Sequence, residues 1–124
     1  MSSRNRQIVT TFADLFYNQR KVRDAFEGFV AEHYTQHNPN IADGREAAIA
    51  ALTPLFSRTD IQFKIRRILV DGDHAAIHLH AISPDTPRGT SVVDMFRLEG
   101  GHIVEHWDVL QPVPAESKNP HPMF

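Results

Sequence analysis

Two aspartates stand inside apolar, strand-like runs: Asp94 between Val93 and Met95, and Asp108 between Trp107 and Val109. Aspartate is disfavoured in strands and rarely buried without a partner. Two of them at matched positions therefore need a reason, and acid/base chemistry supplies one. A carboxylate in an apolar pocket has its pKa raised, because desolvation penalises the charge. A second carboxylate close by raises one of the pair further. Such a pair can take a proton from the carbon beside a carbonyl near neutral pH. The plainer reading pairs Asp94 with Arg97 or Arg45 and leaves Asp108 as a hydrogen-bond acceptor.

Gln36, His37 and Asn38 place three hydrogen-bonding side chains ahead of Pro39. An amide or imidazole there could hold a substrate carbonyl or an enolate oxygen. Asparagine before proline is also a common turn former, so a self-satisfied loop is the alternative. His106 reads as a proton partner of Asp94. Trp107 is either a pocket wall or part of an interface on the outer face, where its apolar surface is otherwise unexplained. The pair His78 and His80 points two imidazoles to one side of a strand, as metal ligands do. Lys64 and Arg66 share that face and repel a cation, and no third ligand is obvious, so no metal is expected. Gly100-Gly101 is a turn; no helix follows it to cradle a phosphate.

These residues need elements to hold them. The first half reads helical. Ile8, Val9, Phe12, Leu15 and Phe16 recur at three- and four-residue steps, with Ser2 or Ser3 able to cap. Val22, Ala25, Phe26, Phe29 and Val30 repeat the stripe. A third helix opens at Asp43, with Glu46 as the return half of a capping box, and Pro54 predicts a kink or an early end. The second half reads as four strands. Ile61 to Val70 leads through Asp71-Gly72-Asp73 into His74 to Ile82. Ser83 to Gly89 reads as a loop, followed by strands over Thr90 to Glu99 and His102 to Gln111.

Three-residue turns with a glycine bulge would set Val70 opposite His74 and Leu98 opposite His102. Asp94, Phe96, His106 and Asp108 then share one face. Ile103, Trp107 and Val109 share the other, beside Val93 and Met95, which is too apolar for open water. A homodimer formed through that sheet face is expected. The tail, Pro112 to Phe124, carries Pro112, Pro114, Pro120 and Pro122 and reads as extended. Met123 and Phe124 are expected to pack onto the body or a partner subunit, near the pocket mouth, since burying one is worth about 1.5–3 kcal/mol.

Helices first and an antiparallel sheet after is an α+β pattern. The 124 residues, 41% hydrophobic and 23% charged, support a single domain spanning residues 1–124. No apolar run is long enough for a membrane span. With no cysteine, a thiol nucleophile, a disulfide framework and an iron–sulfur cluster are excluded. A net charge of −2 with scattered signs argues against nucleic acid. The N-terminal residues lack the apolar stretch of a signal peptide, and a cytoplasmic location is expected.

Two segments carry a family resemblance: Tyr34 to Gly44, and Val93 to Gln111 with its run Glu105-His106-Trp107-Asp108. They, and the ending Asn119 to Phe124, resemble SnoaL-like proteins of the nuclear transport factor 2-like superfamily. The resemblance implies a cone: a strongly bent antiparallel sheet around helices, with a deep pocket open at one end. The founding cyclases close a polyketide ring by an intramolecular aldol reaction without metal or cofactor. It implies Asp108 as the acid/base residue, Asp94 facing it, and Asn38 or His37 on a short strand after the second helix. The expected activity is a cofactor-free lyase or isomerase acting on a small hydrophobic carbonyl compound. The alternative is a small-molecule-binding module of the same fold, because the superfamily hosts both.

Overall fold

The computed structural model describes residues 2–124. Helix α1 (Ser2–Ala13) runs into a single π-helical turn over Asp14–Asn18, and α2 (Val22–Phe29) follows. Strand β1 (Val30–Gln36) precedes α3 (Arg45–Phe56). The rest is β2 (Gln62–Asp71), β3 (His74–Ser83), β4 (Thr86–Glu99) and β5 (His102–Pro112). The sheet order is β1-β5-β4-β3-β2. Its four long strands are antiparallel, and β1 lies parallel to β5, so the five-strand sheet is mixed. The three helices pack on one face. Phe12, Phe26, Ile77, Leu79, Phe96 and Ile103 are fully buried between the two layers.

The apolar stripe of α1 carries the chain inward as its spacing predicts, with Val9 and Phe12 wholly buried. A straight α-helix would then turn Tyr17 off the stripe. The wide turn, closed by Gln19 N–H donating to Asp14 O at 2.9 Å, keeps both Phe16 and Tyr17 inside. Arg20 leaves the turn with φ +61° and donates to Arg58 O at 2.6 Å and to Ile61 O.

Both hairpins depart from the expected register, and for the same reason. The first turn holds two residues, not three, so Asp71 and not Val70 opposes His74. An irregularity between Ile65 and Arg67 then restores the expected pairing of Lys64 with His80. It also turns Ile68 and Val70 inward, onto the core. In the second hairpin Glu99 opposes His102 across Gly100 and Gly101, whose φ values of +58° and +82° suit a two-residue turn. A register shift at Arg97/Leu98 follows, after which Asp94 opposes Asp108 and Phe96 opposes His106. The inward set of even-numbered residues stands as expected. Ile103 does not: the shift leaves both Ile103 and Val104 buried, while Trp107 and Val109 stay outside.

Three local expectations are corrected. Ser83 to Gly89 is not a loop. Thr86 already opposes Ser83, and β4 outruns β5 there, because Thr90 is the residue that meets Pro112. Pro87 therefore lacks a β5 neighbour to disappoint. Asp43 does not cap α3: Gly44 holds that position with φ +100°, and Asp43 Oδ1 accepts the Gln36 N–H at 2.7 Å. Pro54 lies within α3, which ends two residues later at Phe56. Ser2 and Ser3 both lie inside the first helix, so neither is its cap.

The tail docks, but on the outer face of the sheet and not at the pocket mouth. Phe124 stacks on the His80 imidazole at 3.8 Å, with the Arg66 guanidinium 5.3 Å from its ring centre. Ser91 Oγ donates to Met123 O at 3.3 Å. Gly89, at φ +81°, makes room for this arrangement, since a Cβ there would lie 2.3 Å from His80 Nε2. No described helix is long and apolar enough to cross a membrane.

Candidate active site

Between the helices and the concave face of the sheet lies a cavity of about 290 Å³. Its walls are apolar and aromatic. Phe16, Phe56 and Phe63 form a parallel stack, with centroid separations of 4.2 and 4.3 Å. Its polar groups converge at one end: Tyr17 from the π-helical turn, Gln36 and Asn38 from the end of β1, Asp94 from β4, and His106 and Asp108 from β5. No lysine or arginine lines it among the described residues.

The strands supply the spacing. Asp94 opposes Asp108 directly, and His106 sits two residues along β5 on the same side. His106 Nε2 lies 2.9 Å from Asp94 Oδ1 and 3.9 Å from Asp108 Oδ2. The Tyr17 hydroxyl donates to Asp94 Oδ2. Asn38 Nδ2 donates to Asp108 Oδ2 at 2.7 Å, and Gln36 Oε1 lies 2.6 Å from His106 Nδ1. Asp108 Oδ1 has no hydrogen-bond partner among the described residues. The side chains of His106, Asp94 and Asp108 are only 9%, 13% and 13% exposed, which decides that water screens them poorly.

Burial pushes the Tyr17 phenol well above its usual range, and the Asp94 charge and hydrogen bond push it the same way. Tyr34, stacked 6.2 Å from His106, is raised by burial and by the charges of Asp94 and Asp108. Both hydroxyls therefore stay protonated at neutral pH, and Tyr17 serves Asp94 as a standing donor.

Asp94, His106 and Asp108 each offer an atom within 4.8 Å of the others, the spacing a divalent cation needs. Asp94 and His106 already face one another, and Tyr17 and Asn38 occupy further lone pairs. Hydrogen bonds thus tie all three side chains into one network.

Of the candidates from sequence, the fold brings together Asp94, Asp108, His106, Asn38 and Gln36 at the cavity. His37 and Trp107 it does not. They stack on each other outside, at 4.9 Å and 9° between planes, and His37 Nε2 contacts Glu105 at 2.7 Å. Strand alternation is the reason: Trp107 lies between the two inward residues of β5 and must point out. His78 and His80 are also on the outer face, engaged by Ser91 and by Arg88 O. Tyr17 and Tyr34 were not singled out by the sequence. The available signal was Leu15-Phe16-Tyr17, three apolar residues in a row where one α-helical stripe buries two.

Residues 9–106 match the family described as the SnoaL-like domain. No curated protein sequence matches the chain. Among solved structures, an NTF2-like protein of unknown function from Mesorhizobium loti superposes with a TM-score of 0.77 at 22% identity, covering 89% of this chain and 93% of that one. A Kribbella flavida protein described as a candidate ketosteroid isomerase gives 0.74 at 19% identity, over 98% of this chain and 84% of its own. A candidate polyketide cyclase from Acidithiobacillus ferrooxidans gives 0.68 at 19% identity, over 89% of each chain. At such identities these likenesses carry the fold alone: the α+β, NTF2-like cone.

Proposed function

The chain belongs to the SnoaL-like domain family, and from that premise we propose a cofactor-free acid/base catalyst of the isomerase or aldol-cyclase type. Its substrate is a small hydrophobic carbonyl compound. The observation that carries this reading is Asp108, held by Asn38 through one oxygen and left free at the other, at the polar end of an apolar cavity. Asp108 Oδ1 takes the proton from the carbon beside the carbonyl. Asp94 and His106 assist at the oxygen, and Asn38 keeps the Asp108 carboxylate turned toward the substrate. The lack of a lining cation selects an uncharged ligand, because an added carboxylate or phosphate would be desolvated beside like charge. His37 and Trp107 stand outside this scheme.

Replacement of Asp108 with Asn tests it, since the shape is kept and the proton acceptor is lost. Against a panel of neutral ketones and aldehydes, the variant is expected to bind as the parent does while turnover disappears. Undiminished turnover in the variant would overturn the assignment. Binding without turnover by the parent across the panel would favour a ligand-binding module.

Assembly belongs to the same proposal. Met95 is 38% and Val109 65% exposed beside Trp107, and a second copy covers that outer face. Sedimentation at micromolar concentration should give a dimer; a monomer would remove the idea.

A further inference from the structure

The hydrogen-bond pattern around His106 determines where its protons sit. The chain of reasoning starts from a backbone N–H, which can only donate. Asn38 N–H lies 3.0 Å from the Gln36 side-chain oxygen, so that atom is an acceptor and the orientation of the amide is settled. The same oxygen lies 2.6 Å from His106 Nδ1. Two acceptors do not approach so closely, so Nδ1 carries a proton. In a neutral imidazole Nε2 is then bare. Yet Nε2 lies 2.9 Å from Asp94 Oδ1, again an approach that needs a proton between the atoms. Tyr17 does not supply it, because its hydroxyl donates to the other oxygen, Oδ2.

Asn38 is anchored by the same logic. Its own Oδ1 accepts the Asn40 N–H at 2.9 Å, so Nδ2 is the group that faces Asp108 Oδ2 at 2.7 Å. Asp108 accepts there and needs no proton of its own. The groups that face the imidazole complete the account: Tyr34 from β1 stacked on it, Phe96 from β4 tilted against it, and Asp94 and Asp108 from the sheet, with the Tyr17 hydroxyl one step away on Asp94.

We infer that Gln36 is a positioning residue that holds His106 as the Nδ1–H form, so that Asp94 and His106 share one proton and form the acid of the site while Asp108 is its base. The bearing on catalysis rests on the acid/base reading above; the proton assignment does not. The step then balances. The C–H bond beside the carbonyl breaks and its proton goes to Asp108 Oδ1. The proton shared by Asp94 and His106 passes to the carbonyl oxygen, giving an enol. Asp108 ends neutral, and the pair ends as a carboxylate and a neutral imidazole. Return of a proton to carbon from Asp108, and of the hydroxyl proton to the pair, resets both.

Nitrogen-15 NMR of protein labelled at histidine tests this without any substrate, with His106 assigned by its loss in His106→Gln. In the parent at neutral pH, His106 Nδ1 is expected to give the signal of a protonated ring nitrogen. A bare Nδ1 with a protonated Nε2 would overturn the inference. Gln36→Glu keeps an acceptor at this place and should retain the Nδ1–H form. Gln36→Leu removes it and should release the ring into a mixture of forms. If Gln36→Leu leaves the His106 signals unchanged, Gln36 does not hold the tautomer. If that variant does not fold, the parent spectrum and Gln36→Glu still decide. Loss of turnover in Asp108→Asn reports on the catalytic reading separately.

Discussion

Strand β5 contributes one member to a histidine–carboxylate pair on each of its faces. Inside, His106 meets Asp94 at 2.9 Å; outside, His37 meets Glu105 at 2.7 Å. The distances are nearly the same, and the chemistry is not. The outer pair has a half-exposed imidazole and an arginine in attendance, with Arg97 Nε donating to Glu105 at 2.8 Å. Those two hydrogen bonds hold the Glu105 carboxyl below its usual range. The inner pair is buried, has no lysine or arginine lining its cavity among the described residues, and has beside it tyrosines kept protonated by burial. A contact distance alone does not mark a site. Whether the charge is already balanced, and whether water reaches it, decides what the pair can do.

The comparison can be broken or sharpened by experiment. The largest effect is expected at Asp108, where substitution by Asn should lower turnover about 10²–10⁴-fold with little change in melting temperature. Next is Asp94→Leu, which leaves the Tyr17 hydroxyl and His106 Nε2 buried without a partner. It should cost about 1–3 kcal/mol and lower the melting temperature by several degrees, read by thermal unfolding. Removing residues Pro120 to Phe124 should lower it by a few degrees, because Phe124 leaves its place on His80. Glu105→Gln, the outer counterpart of Asp94→Leu, should stay within about 1 kcal/mol. If the two faces respond alike to their substitutions, burial is not what separates them.

Their pH dependence should differ as well. Folding raises the Tyr17 pKa, so the unfolded chain loses that proton first as the solution turns alkaline. The associated stability is full below about pH 10 and is lost above it, and Tyr17→Phe should flatten that limb. Folding lowers the Glu105 pKa, so the unfolded chain takes up its proton first on acidification. That stability is present above pH 4.5 and is lost as the pH falls through the folded value. Glu105→Gln should flatten only the acid limb of a stability–pH curve.

Much of this was legible in the sequence. Alternation in β4 and β5 named the inward residues Asp94, His106 and Asp108, because a period of two survives an error of two in register. The glycines suit three-residue turns equally well, and the hairpins in fact have two-residue turns with register shifts further along the strands. Such a shift is invisible to alternation when the neighbouring residues are apolar, which is why alternation alone puts Ile103 on the outer face. His37 could not be separated from Asn38 by type, since both can hold an oxygen; only the end of β1 sends one outward and the other in. Tyr17 was missed because the helical period was applied through a turn that is not α-helical. The tail was read as docked, but nothing in its composition says which face it meets.

That turn has a consequence for chain length. Across Asp14–Asn18 the backbone hydrogen bond spans one residue more than in an α-helix, so the turn holds an extra residue. Removal of any single residue there would let the helix continue regularly. Each residue of an α-helix advances about 100° around its axis, so a regular helix could not keep Phe16 and Tyr17 both facing inward as the wide turn does. With Asp14 lost, Tyr17 would take the place Phe16 now holds against Phe56, and its hydroxyl would leave the position from which it meets Asp94. For this site the length of the turn therefore matters as much as its composition: losing Asp14, which does not line the cavity, would displace two residues that do.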